Sequence, residues 1–494
     1  MTDNPKALVR KGRNAWRIER ADKATVIVDA ANYYAVAKGL MENAQRRIFI
    51  AGWDFDTRIT LCPDKKGEGE QLGEFLLRLA EEKPDLQIDV LKWNFGAMKQ
   101  FVRPRALRWL WHWWRQPNID MRLDSSHPFG CSHHQKILVI DESIAACGGI
   151  DISTHRWDKR GHDDADPHRT GPDGKPYAPW HDVTMLVKGK VAAALGELGR
   201  ERWKTCTREK LDPIEGLDDD WPEDLEPMFE DVDIAIARTR AEYDGNPEVR
   251  EVEALWLDMV CAAKDFLYIE NQYFTSAKVA AAIADRMKEA DPPEIVMVMP
   301  HCADGWLEQQ AMDGARAMLI DQIGKVDAKS RFRVYMPVTK KGEGIYVHAK
   351  VSIMDDRLLR VGSANLNNRS FGLDSECDLL LDGGRAANGG NEQAMTALRH
   401  DLLAEHLGVT AARFAKAEKD KGSMIAAIEA LRGKGKTLKP LPMEAFNDAQ
   451  KFVADHQLMD PEHPDGFLDP IAGGTLSRNW RRGRNWARTW RRKR

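Results

Sequence analysis

Short apolar runs alternate with amphipathic segments along most of this chain, and the order of these elements is repeated once. Compact apolar runs bounded by polar turns are typical of buried strands, whereas apolar residues three and four apart predict helices. The runs predict strands at 48–53, 88–93, 119–123, 136–140, 144–148 and 182–187, and again at 266–270, 294–299, 332–335 and 377–381. The helical spacing predicts helices at 70–82, 104–115 and 190–205, and again at 276–288, 305–325 and 391–407.

This alternation predicts an α/β fold with two pseudo-symmetric α/β/α halves, whose largely parallel sheets carry helices on both faces. A length of 494 residues is enough for two domain-sized cores. We expect a first half, an acidic linker, a second half and a helical appendage with a basic tail, at 1–211, 212–227, 228–410 and 411–494. One helix is predicted near 411–432, and no packing pattern is visible in residues 1–25.

Composition places the chain among ordinary globular proteins. A hydrophobic content of 43% and a formal net charge of −4 do not predict a surface coated by nucleic acid. The seven cysteines include no Cys-x-x-Cys pair, which argues against a disulfide framework or a cysteine zinc cluster and favours a reducing compartment. No stretch approaches the ~18 apolar residues of a membrane span, and the N-terminus lacks a signal-peptide core. We therefore expect a cytoplasmic protein whose membrane contact is peripheral.

One polar pattern occurs once in each half. The pattern His-x-Lys-x4-Asp is found at His134, Lys136 and Asp141, and again at His348, Lys350 and Asp355. On a strand, the histidine and lysine of each copy point to the same face. Lysine can neutralise phosphate oxygens, and histidine can act as a nucleophile or a proton carrier near neutral pH. The duplicated spacing therefore indicates phosphoryl-transfer chemistry.

A single copy supplies only half of such a site. If both copies meet at the interface of the halves, one imidazole can attack phosphorus while the other protonates the leaving oxygen. The lysines would then offset the charge on the non-bridging oxygens, so that no metal or other cofactor is required. Asp141 and Asp355 lie too far along the chain to join this cluster easily. We interpret them as structural carboxylates at hairpin turns that shape the site.

The residues around both motifs resemble those of the phospholipase D superfamily, whose two HKD motifs match the pattern. Flanking stretches are similar to the family's GGID and RWD, PWHD, IENQYF and GSxN segments, at 148–152 and 156–158, 179–183, 269–274 and 362–370. The resemblance covers residues 45–410 and is strongest to phosphatidylcholine-hydrolysing phospholipase D. It implies a two-half fold with the active site at the interface.

The resemblance also implies roles for individual residues. In the family an acidic side chain stands behind each catalytic histidine, and the matching residues are Asp182 for His134 and Glu376 for His348. His134 is implied as the nucleophile and His348 as the general acid, with the reverse assignment left open.

Three further residues are implied to contact the substrate phosphate. Ser363 and Asn365 lie on the GSxN turn, and Asp151 is the counterpart of Asn365 by equal spacing in the first half. An aspartate at this position is usual in phospholipases with GGID and differs from the asparagine of bacterial cardiolipin synthases.

Two tryptophan-rich stretches could bring the protein to the surface of a lipid bilayer. Residues 108–115 contain four tryptophans, which favour a membrane interface or the packed face of a core helix. Residues 477–494 contain eight arginines, one lysine and three tryptophans without an acidic residue, which favours an anionic bilayer surface. A solubilising tail or a nucleic-acid contact are the alternatives for this segment. We expect a phospholipid surface as the partner and no nucleic acid. A monomer is compatible with the sequence.

These observations predict a phospholipase D that hydrolyses phosphatidylcholine or phosphatidylethanolamine through a phosphatidyl-histidine intermediate. The products would be phosphatidic acid and the head-group alcohol, and an added primary alcohol would give transphosphatidylation. A cardiolipin-synthase-like phosphatidyltransferase and a phosphodiesterase acting on nucleic acid are the alternatives within the superfamily. A membrane-bound scaffold with an inactive site is disfavoured because both motifs are intact.

Overall fold

The computed structural model describes most of the chain. The described residues are 7–63, 69–94, 109, 112–215, 217–302, 306–442 and 460. Most of the helix predicted at 104–115 and all of the basic segment 477–494 lie outside these residues.

Eighteen strands are present in the described residues. They are β1 (Arg17–Val28), β2 (Arg47–Gly52), β3 (Gln87–Trp93), β4 (Ile119–Asp124), β5 (Ile137–Ile140), β6 (Ile144–Gly148), β7 (Trp180–His181), β8 (Val183–Lys188), β9 (Phe229–Arg240), β10 (Val249–Arg250), β11 (Phe266–Glu270), β12 (Glu294–Val298), β13 (Phe332–Val338), β14 (Tyr346–Val347), β15 (Val351–Met354), β16 (Leu358–Gly362), β17 (Glu376–Asp382) and β18 (Thr437–Pro440).

One continuous sheet runs through the whole molecule. Its strand order is β18-β13-β12-β11-β15-β16-β17-β9-β1-β8-β6-β5-β2-β3-β4. Counted outward from the central β1–β9 pair, each strand of the first half has a counterpart at the same position in the second half. The α/β class and the pseudo-symmetry of the two halves are confirmed.

The strand directions differ from the largely parallel sheets that the sequence predicts. Within the large sheet, parallel pairing is confined to the outer strands, β2–β3–β4 and β11–β12–β13. Its motif strands and its central strands pair antiparallel. The reason is that each motif lies at a tight hairpin, which reverses the chain, whereas helical crossovers connect only the outer strands. A separate two-stranded sheet joins the halves by parallel pairing of β7 with β14.

The helices cover the sheet at three places. They are α1 (Ala30–Asn43), α2 (Leu72–Glu82), α3 (Lys190–Thr207), α4 (Glu251–Ala262), α5 (Ala277–Met287), α6 (Trp306–Val326), α7 (Asn368–Gly372), α8 (Glu392–Leu407), α9 (Ala411–Lys421) and α10 (Met424–Leu431), with a 3-10 turn at Ala386–Asn388. α1 and α2 enclose one apolar cluster with the first half of the sheet, and α4 and α5 enclose its counterpart with the second half. The central cluster is larger. It lies against α3 and α8, and α9 and α10 extend it.

The single helix predicted near 411–432 is wrong in one respect, because the structure has two helices there. α9 ends at Gly422, whose φ of 63° is left-handed. The next residue, Ser423, caps α10 by accepting a hydrogen bond from the Ala426 N–H at 3.0 Å. A left-handed glycine followed by a serine cap stops one helix and starts another.

The strands at the centre of the molecule were not predicted. The first half of β1 is polar and only partly buried, and β9 begins with several acidic residues, so that the apolar run of each strand covers only part of its length, 24–28 and 234–237. Their pairing with each other, from Arg17 opposite Ile236 to Ala24 opposite Phe229, joins the two halves of the sheet. No helix among the described residues has the length and apolar character needed to span a bilayer.

Candidate active site

Both motif hairpins have the same turn geometry. Asp141 and Glu142 in the first turn have φ values of 50° and 55°, and Asp355 and Asp356 in the second have 53° and 45°. Positive φ at both central residues is the signature of the type I′ turn, whose twist matches that of the flanking strands. The turn places each motif aspartate at the end of its hairpin that lies away from the histidine.

The motif aspartates hold backbone rather than substrate. The Asp141 carboxylate accepts the N–H groups of residues 45, 46 and 47 at 2.6–2.7 Å. The Asp355 carboxylate accepts those of residues 264, 265 and 266 at 2.9–3.0 Å. Each carboxylate therefore fixes the start of the neighbouring strand, β2 or β11, against its motif hairpin.

The two motifs meet at the interface, and each histidine pairs with a carboxylate of the other half. His134 Nδ1 lies 3.1 Å from both carboxylate oxygens of Glu376. His348 Nδ1 lies 2.7 Å from Asp182 Oδ2. The assignment of Asp182 to His134 and of Glu376 to His348 is therefore wrong, because the pairs are crossed between the halves.

Backbone hydrogen bonds explain the crossing. The N–H of His134 donates to the carbonyl of Ser375 at 2.9 Å, and the N–H of His348 donates to the carbonyl of His181 at 2.8 Å. Each motif segment thus lies beside the residue that immediately precedes the carboxylate of the other half. Since an ionised carboxylate can only accept, each Nδ1 carries the proton and each Nε2 is left for chemistry.

Two serine hydroxyls hold the carboxylate of Glu376. Ser363 Oγ donates to Oε2 at 2.5 Å and Ser370 Oγ donates to Oε1 at 2.6 Å. Burial alone would raise the pKa of Glu376, but the facing His134 and both hydroxyls lower it below its usual value. Ser363 is fully buried behind this carboxylate. It therefore positions Glu376, which revises the substrate contact implied by the sequence.

The second pair is buried beside two cationic side chains. Burial raises the pKa of Asp182 to about 6, although the charges of Lys350 and Arg156 oppose this shift. Burial, together with the charges of Lys350 and Arg156, lowers the pKa of His348 well below its usual value. The close approach of Asp182 requires a glycine opposite it, since a Cβ at Gly149 would lie 2.1 Å from its Oδ1.

The two lysines have different surroundings. Lys136 Nζ donates to the His134 carbonyl at 2.9 Å and lies 3.2 Å from Asp151 Oδ2. Lys350 Nζ donates to the His348 carbonyl at 2.5 Å and, in place of a carboxylate, contacts the Gln272 amide oxygen at 3.4 Å. Burial and the like charge of Lys136 lower the pKa of Lys350 to about 7.

The predicted substrate contacts Asp151 and Asn365 are both buried in the site. Asp151 Oδ1 accepts the N–H groups of Trp53 and Asp54, at 3.0 and 3.2 Å, so that this carboxylate joins Lys136 to the end of β2. The Asn365 side-chain oxygen has no hydrogen-bond partner among the described residues. An amide oxygen only accepts, so Asn365 would contact a phosphate oxygen through its N–H groups, whereas Asp151 faces the backbone N–H groups and Lys136.

Aromatic residues that sequence reasoning did not single out surround both histidines. The Trp180 ring lies 5.1 Å from that of His348 and stacks on Tyr346 at 4.5 Å. The guanidinium of Arg156 lies 4.1 Å from the centroid of the Trp180 ring. Trp53 meets His134 edge-on at 6.4 Å. Four of the residues around the histidines could have been identified from the sequence, because they lie within the segments that resemble the family: Arg156, Trp180, Gln272 and Ser370. Trp53 and Tyr346 lie outside those segments, so the resemblance did not point to them.

The chain is similar in sequence to several known proteins. A family model described as "Cardiolipin synthase, PLD-like domain" matches residues 257–393. Phospholipase D A of Dictyostelium discoideum is 25% identical over 410 residues, which cover 70% of this chain and 31% of that protein. Phospholipase D alpha 4 of Arabidopsis thaliana is 24% identical over 494 residues, which cover 77% of this chain and 64% of that protein. This chain thus spans less than two thirds of both relatives.

The fold also has a counterpart among solved structures. The phosphatidylserine synthase of Haemophilus influenzae Rd KW20 superposes with a TM-score of 0.51 at 14% identity, covering 82% of this chain and 96% of that protein. At this identity the likeness supports the fold alone, and it agrees with the α/β architecture described above.

Proposed function

The chain belongs to the phospholipase D superfamily, and on that premise we propose that it is a phospholipase D acting on phosphatidylcholine or phosphatidylethanolamine. The observation that carries the proposal is the pair of imidazoles at one interface, each with its Nδ1 against a buried carboxylate. This arrangement leaves two Nε2 atoms for one phosphorus centre, as a two-step displacement requires.

In the first step, Nε2 of His134 attacks phosphorus and the bond to the head-group oxygen breaks. His348 gives its Nε2 proton to that oxygen, so that the alcohol leaves neutral and a phosphatidyl-histidine remains. In the second step, a water molecule attacks phosphorus and returns a proton to His348, and the P–N bond breaks to release phosphatidic acid. Lys136, Lys350 and Asn365 are proposed to bind the non-bridging oxygens throughout.

One observation favours the opposite assignment of the two histidines. A nucleophile must be unprotonated, and the lowered pKa of His348 keeps that imidazole neutral. A rapid denaturing quench at alkaline pH, where the P–N bond survives, followed by peptide mapping of the modified histidine, decides between His134 and His348. Phosphate on the 348 peptide reverses the roles and leaves the two-step chemistry unchanged.

Peripheral membrane association, with residence in the cytoplasm, is the second part of the proposal. Trp114 is 83% exposed and Phe129 is 80% exposed, and Phe129 lies five residues before His134. Large exposed aromatic side chains fit the interfacial region of a bilayer. By contrast, Trp113 is buried and donates to the Gly73 carbonyl at 3.1 Å, so only part of this tryptophan-rich segment packs into the core. The arginines of 477–494 would add attraction to anionic lipid.

The test of activity measures choline and ethanolamine release from mixed phospholipid vesicles, with and without a primary alcohol. We expect phosphatidic acid in water and a phosphatidyl-alcohol when the alcohol is present. His134→Ala and His348→Ala should each lose about 10³-fold or more in kcat. His400→Ala is the matched control, since this histidine bonds Glu418 on α9, outside the site.

Other outcomes would redirect the proposal. Cardiolipin formed from phosphatidylglycerol vesicles without head-group release from phosphatidylcholine would indicate the phosphatidyltransferase that the family-model description suggests. Cleavage of DNA without lipid turnover would indicate a nuclease. Full turnover by both histidine variants would exclude the two-histidine mechanism.

A further inference from the structure

A second cluster of histidines and carboxylates lies directly behind the active site. Asp29 precedes α1, His162 lies in the loop between β6 and β7, His181 ends β7, and Glu405 lies on α8. All four side chains are buried, with at most 4% of each exposed. None of them has a part in the proposed reaction.

One ligand atom from each of these four side chains lies within 4.8 Å of those of the other three, which is close enough for all four to reach one ion. His162 Nε2 lies 2.9 Å from Glu405 Oε1 and 3.5 Å from Asp29 Oδ2. His181 Nδ1 lies 3.2 Å from Glu405 Oε1 and 3.2 Å from Asp29 Oδ1. Zinc bound tetrahedrally at about 2.0–2.1 Å would separate its ligand atoms by about 3.3 Å.

The outer nitrogen of each histidine is bonded to a further carboxylate. His162 Nδ1 lies 2.9 Å from Asp158 Oδ2, and His181 Nε2 lies 2.8 Å from Glu270 Oε2. When these carboxylates hold the protons of the outer nitrogens, the inner nitrogens can coordinate a metal, which would replace the proton that His162 Nε2 otherwise shares with Glu405 Oε1 at 2.9 Å. A carboxylate behind each histidine is the usual surrounding of a histidine that ligates a metal.

Two atoms in the cluster lack ordinary hydrogen-bond partners among the described residues. They are Asp29 Oδ2 and His181 Nδ1, both on side chains with no exposed surface. The His181 nitrogen is near two carboxylate oxygens, but its ring is not oriented to form a hydrogen bond with either of them. A buried polar atom without a partner is costly, whereas a cation between these atoms would satisfy both.

The charges point the same way. The carboxylates Asp29, Asp158, Glu270 and Glu405 are all buried here, and among the described residues two of them pair with an arginine. Arg169 lies 3.0 Å from Asp158 and Arg160 lies 2.5 Å from Glu405. A dication at the centre would offset the other negative charge in place of the protons that the histidines share with these carboxylates.

We propose that Asp29, His162, His181 and Glu405 form a structural site for a single zinc ion. The ligand set is closed, with two nitrogens and two oxygens and no position for water, which is characteristic of a structural site. The chemistry of the proposed reaction does not pass through it.

The location gives the site a positioning role. His181 is the chain neighbour of Asp182, and Asp29 Oδ1 accepts the Asp182 N–H at 3.2 Å. Asp182 in turn orients His348. Because Glu405 belongs to the second half and the other three ligands to the first, the zinc would also tie the two halves together behind the active site.

Metal analysis of the full-length protein is the direct test. Protein produced with zinc in the medium and freed of loose metal by gel filtration should contain about one zinc per chain. His162→Ala and Glu405→Gln should each reduce this to below about a tenth. His168→Ala is the matched control, because this histidine lies in the same loop but bonds Asp166 outside the cluster.

Two further measurements do not depend on these variants folding. Cobalt exchanged into the wild-type protein should give the intense visible bands of a tetrahedral site. Extraction of zinc with a chelator should lower the unfolding temperature by several degrees, and added zinc should restore it. The proposal is overturned if the folded wild-type protein contains less than about a tenth of an equivalent of zinc and neither zinc nor chelator moves the unfolding temperature. It is also overturned if both folded variants keep the wild-type zinc content.

Discussion

At the residue scale, the active site depends on groups that reach across the interface. His134 has its carboxylate partner in β17, and His348 has its partner at the start of β8. Neither motif histidine therefore has its carboxylate partner in its own half. The two pairs also differ, because serine hydroxyls surround Glu376 whereas Asp182 faces a lysine and an arginine.

The crossed pairing predicts which histidine each carboxylate controls. Glu376→Gln should change the imidazole nitrogen chemical shifts of His134, which report the tautomer, and leave those of His348 unchanged. Asp182→Asn should do the reverse. Both variants should lower kcat by about 10²–10⁴-fold with little change in KM, because a misoriented imidazole still binds substrate. Histidine-selective nitrogen NMR and steady-state kinetics are the measurements. A shift of His348 in Glu376→Gln would contradict the pairing.

The buried lysine predicts a pH dependence of activity. Lys350 has its pKa lowered to about 7, and only its protonated form neutralises phosphate. We expect kcat/KM to fall as pH rises through about 7. The decrease in kcat should occur at higher pH than the decrease in kcat/KM, because bound phosphate stabilises the ammonium form of Lys350 and so raises its pKa. Initial rates between pH 5 and 10 on short-chain phospholipid monomers are the measurement. A kcat/KM that stays constant across this range would count against the role of Lys350.

The same shift predicts the sign of a stability change. Between about pH 7 and 10.5 the unfolded chain holds a proton on Lys350 that the folded chain has lost, so this residue makes stability rise with pH in that window. Lys350→Met should remove this contribution. The wild-type gain in urea midpoint between pH 7 and 9, compared with that of the variant, measures it. An identical gain in both proteins would contradict the lowered pKa.

At the element scale, the two motif hairpins hold the histidine and the lysine in place. In each of them a type I′ turn directs an aspartate onto three consecutive backbone N–H groups of a neighbouring segment. The histidine and lysine lie at the other end of the same hairpin. The motif aspartate therefore fixes a neighbouring strand against the hairpin that carries the histidine and the lysine.

Replacing these aspartates should affect stability more than chemistry. Asp355→Ala leaves three N–H groups without their acceptor and should cost about 2–4 kcal/mol. Asp355→Asn should cost less, since asparagine keeps one acceptor and tolerates positive φ. Urea unfolding measures the loss. Activity per folded molecule should fall far less than in His348→Ala. A fall as deep as that of the histidine variant would assign Asp355 a part in catalysis.

At the scale of the whole molecule, one sheet crosses both halves through the β1–β9 pair, and the active site lies where the motifs meet. The buried groups around it, including the proposed zinc ligands, come from segments far apart in the chain. The aromatic side chains of Trp114 and Phe129 are exposed on the surface of the molecule.

Membrane contact through these side chains predicts a substrate-dependent defect. Trp114→Ala should weaken binding to phospholipid vesicles by about tenfold, since a buried tryptophan contributes on the order of 1–2 kcal/mol at an interface. Activity on dissolved short-chain phospholipid should be unchanged, which serves as the internal control. Vesicle sedimentation and head-group release are the measurements. Equal losses on vesicles and on monomers would indicate a folding defect instead.

The sequence by itself predicted the residues proposed for catalysis and determined most of the repeated elements. The spacing of histidine and lysine is local, and two residues apart on a strand share a face whatever the rest of the fold does. Apolar periodicity likewise located β2, β3, β11, β12, α2 and α5, because their buried faces are continuous in the sequence. The segments resembling the superfamily contained most of the groups that surround the histidines.

Tertiary structure alone decided which partners these residues meet. The crossed histidine–carboxylate pairs join residues 242 and 166 positions apart, and no local pattern distinguishes them from the uncrossed pairs. The central strands β1 and β9 escaped prediction because polar residues interrupt their apolar runs, and each is placed at the centre by pairing with the other. The four-residue cluster behind Asp182 could not be predicted from the sequence either, because its members are far apart in the chain, at positions 29, 162, 181 and 405. Long-range pairing depends on how whole faces fit together, and that fit is a property of the folded chain.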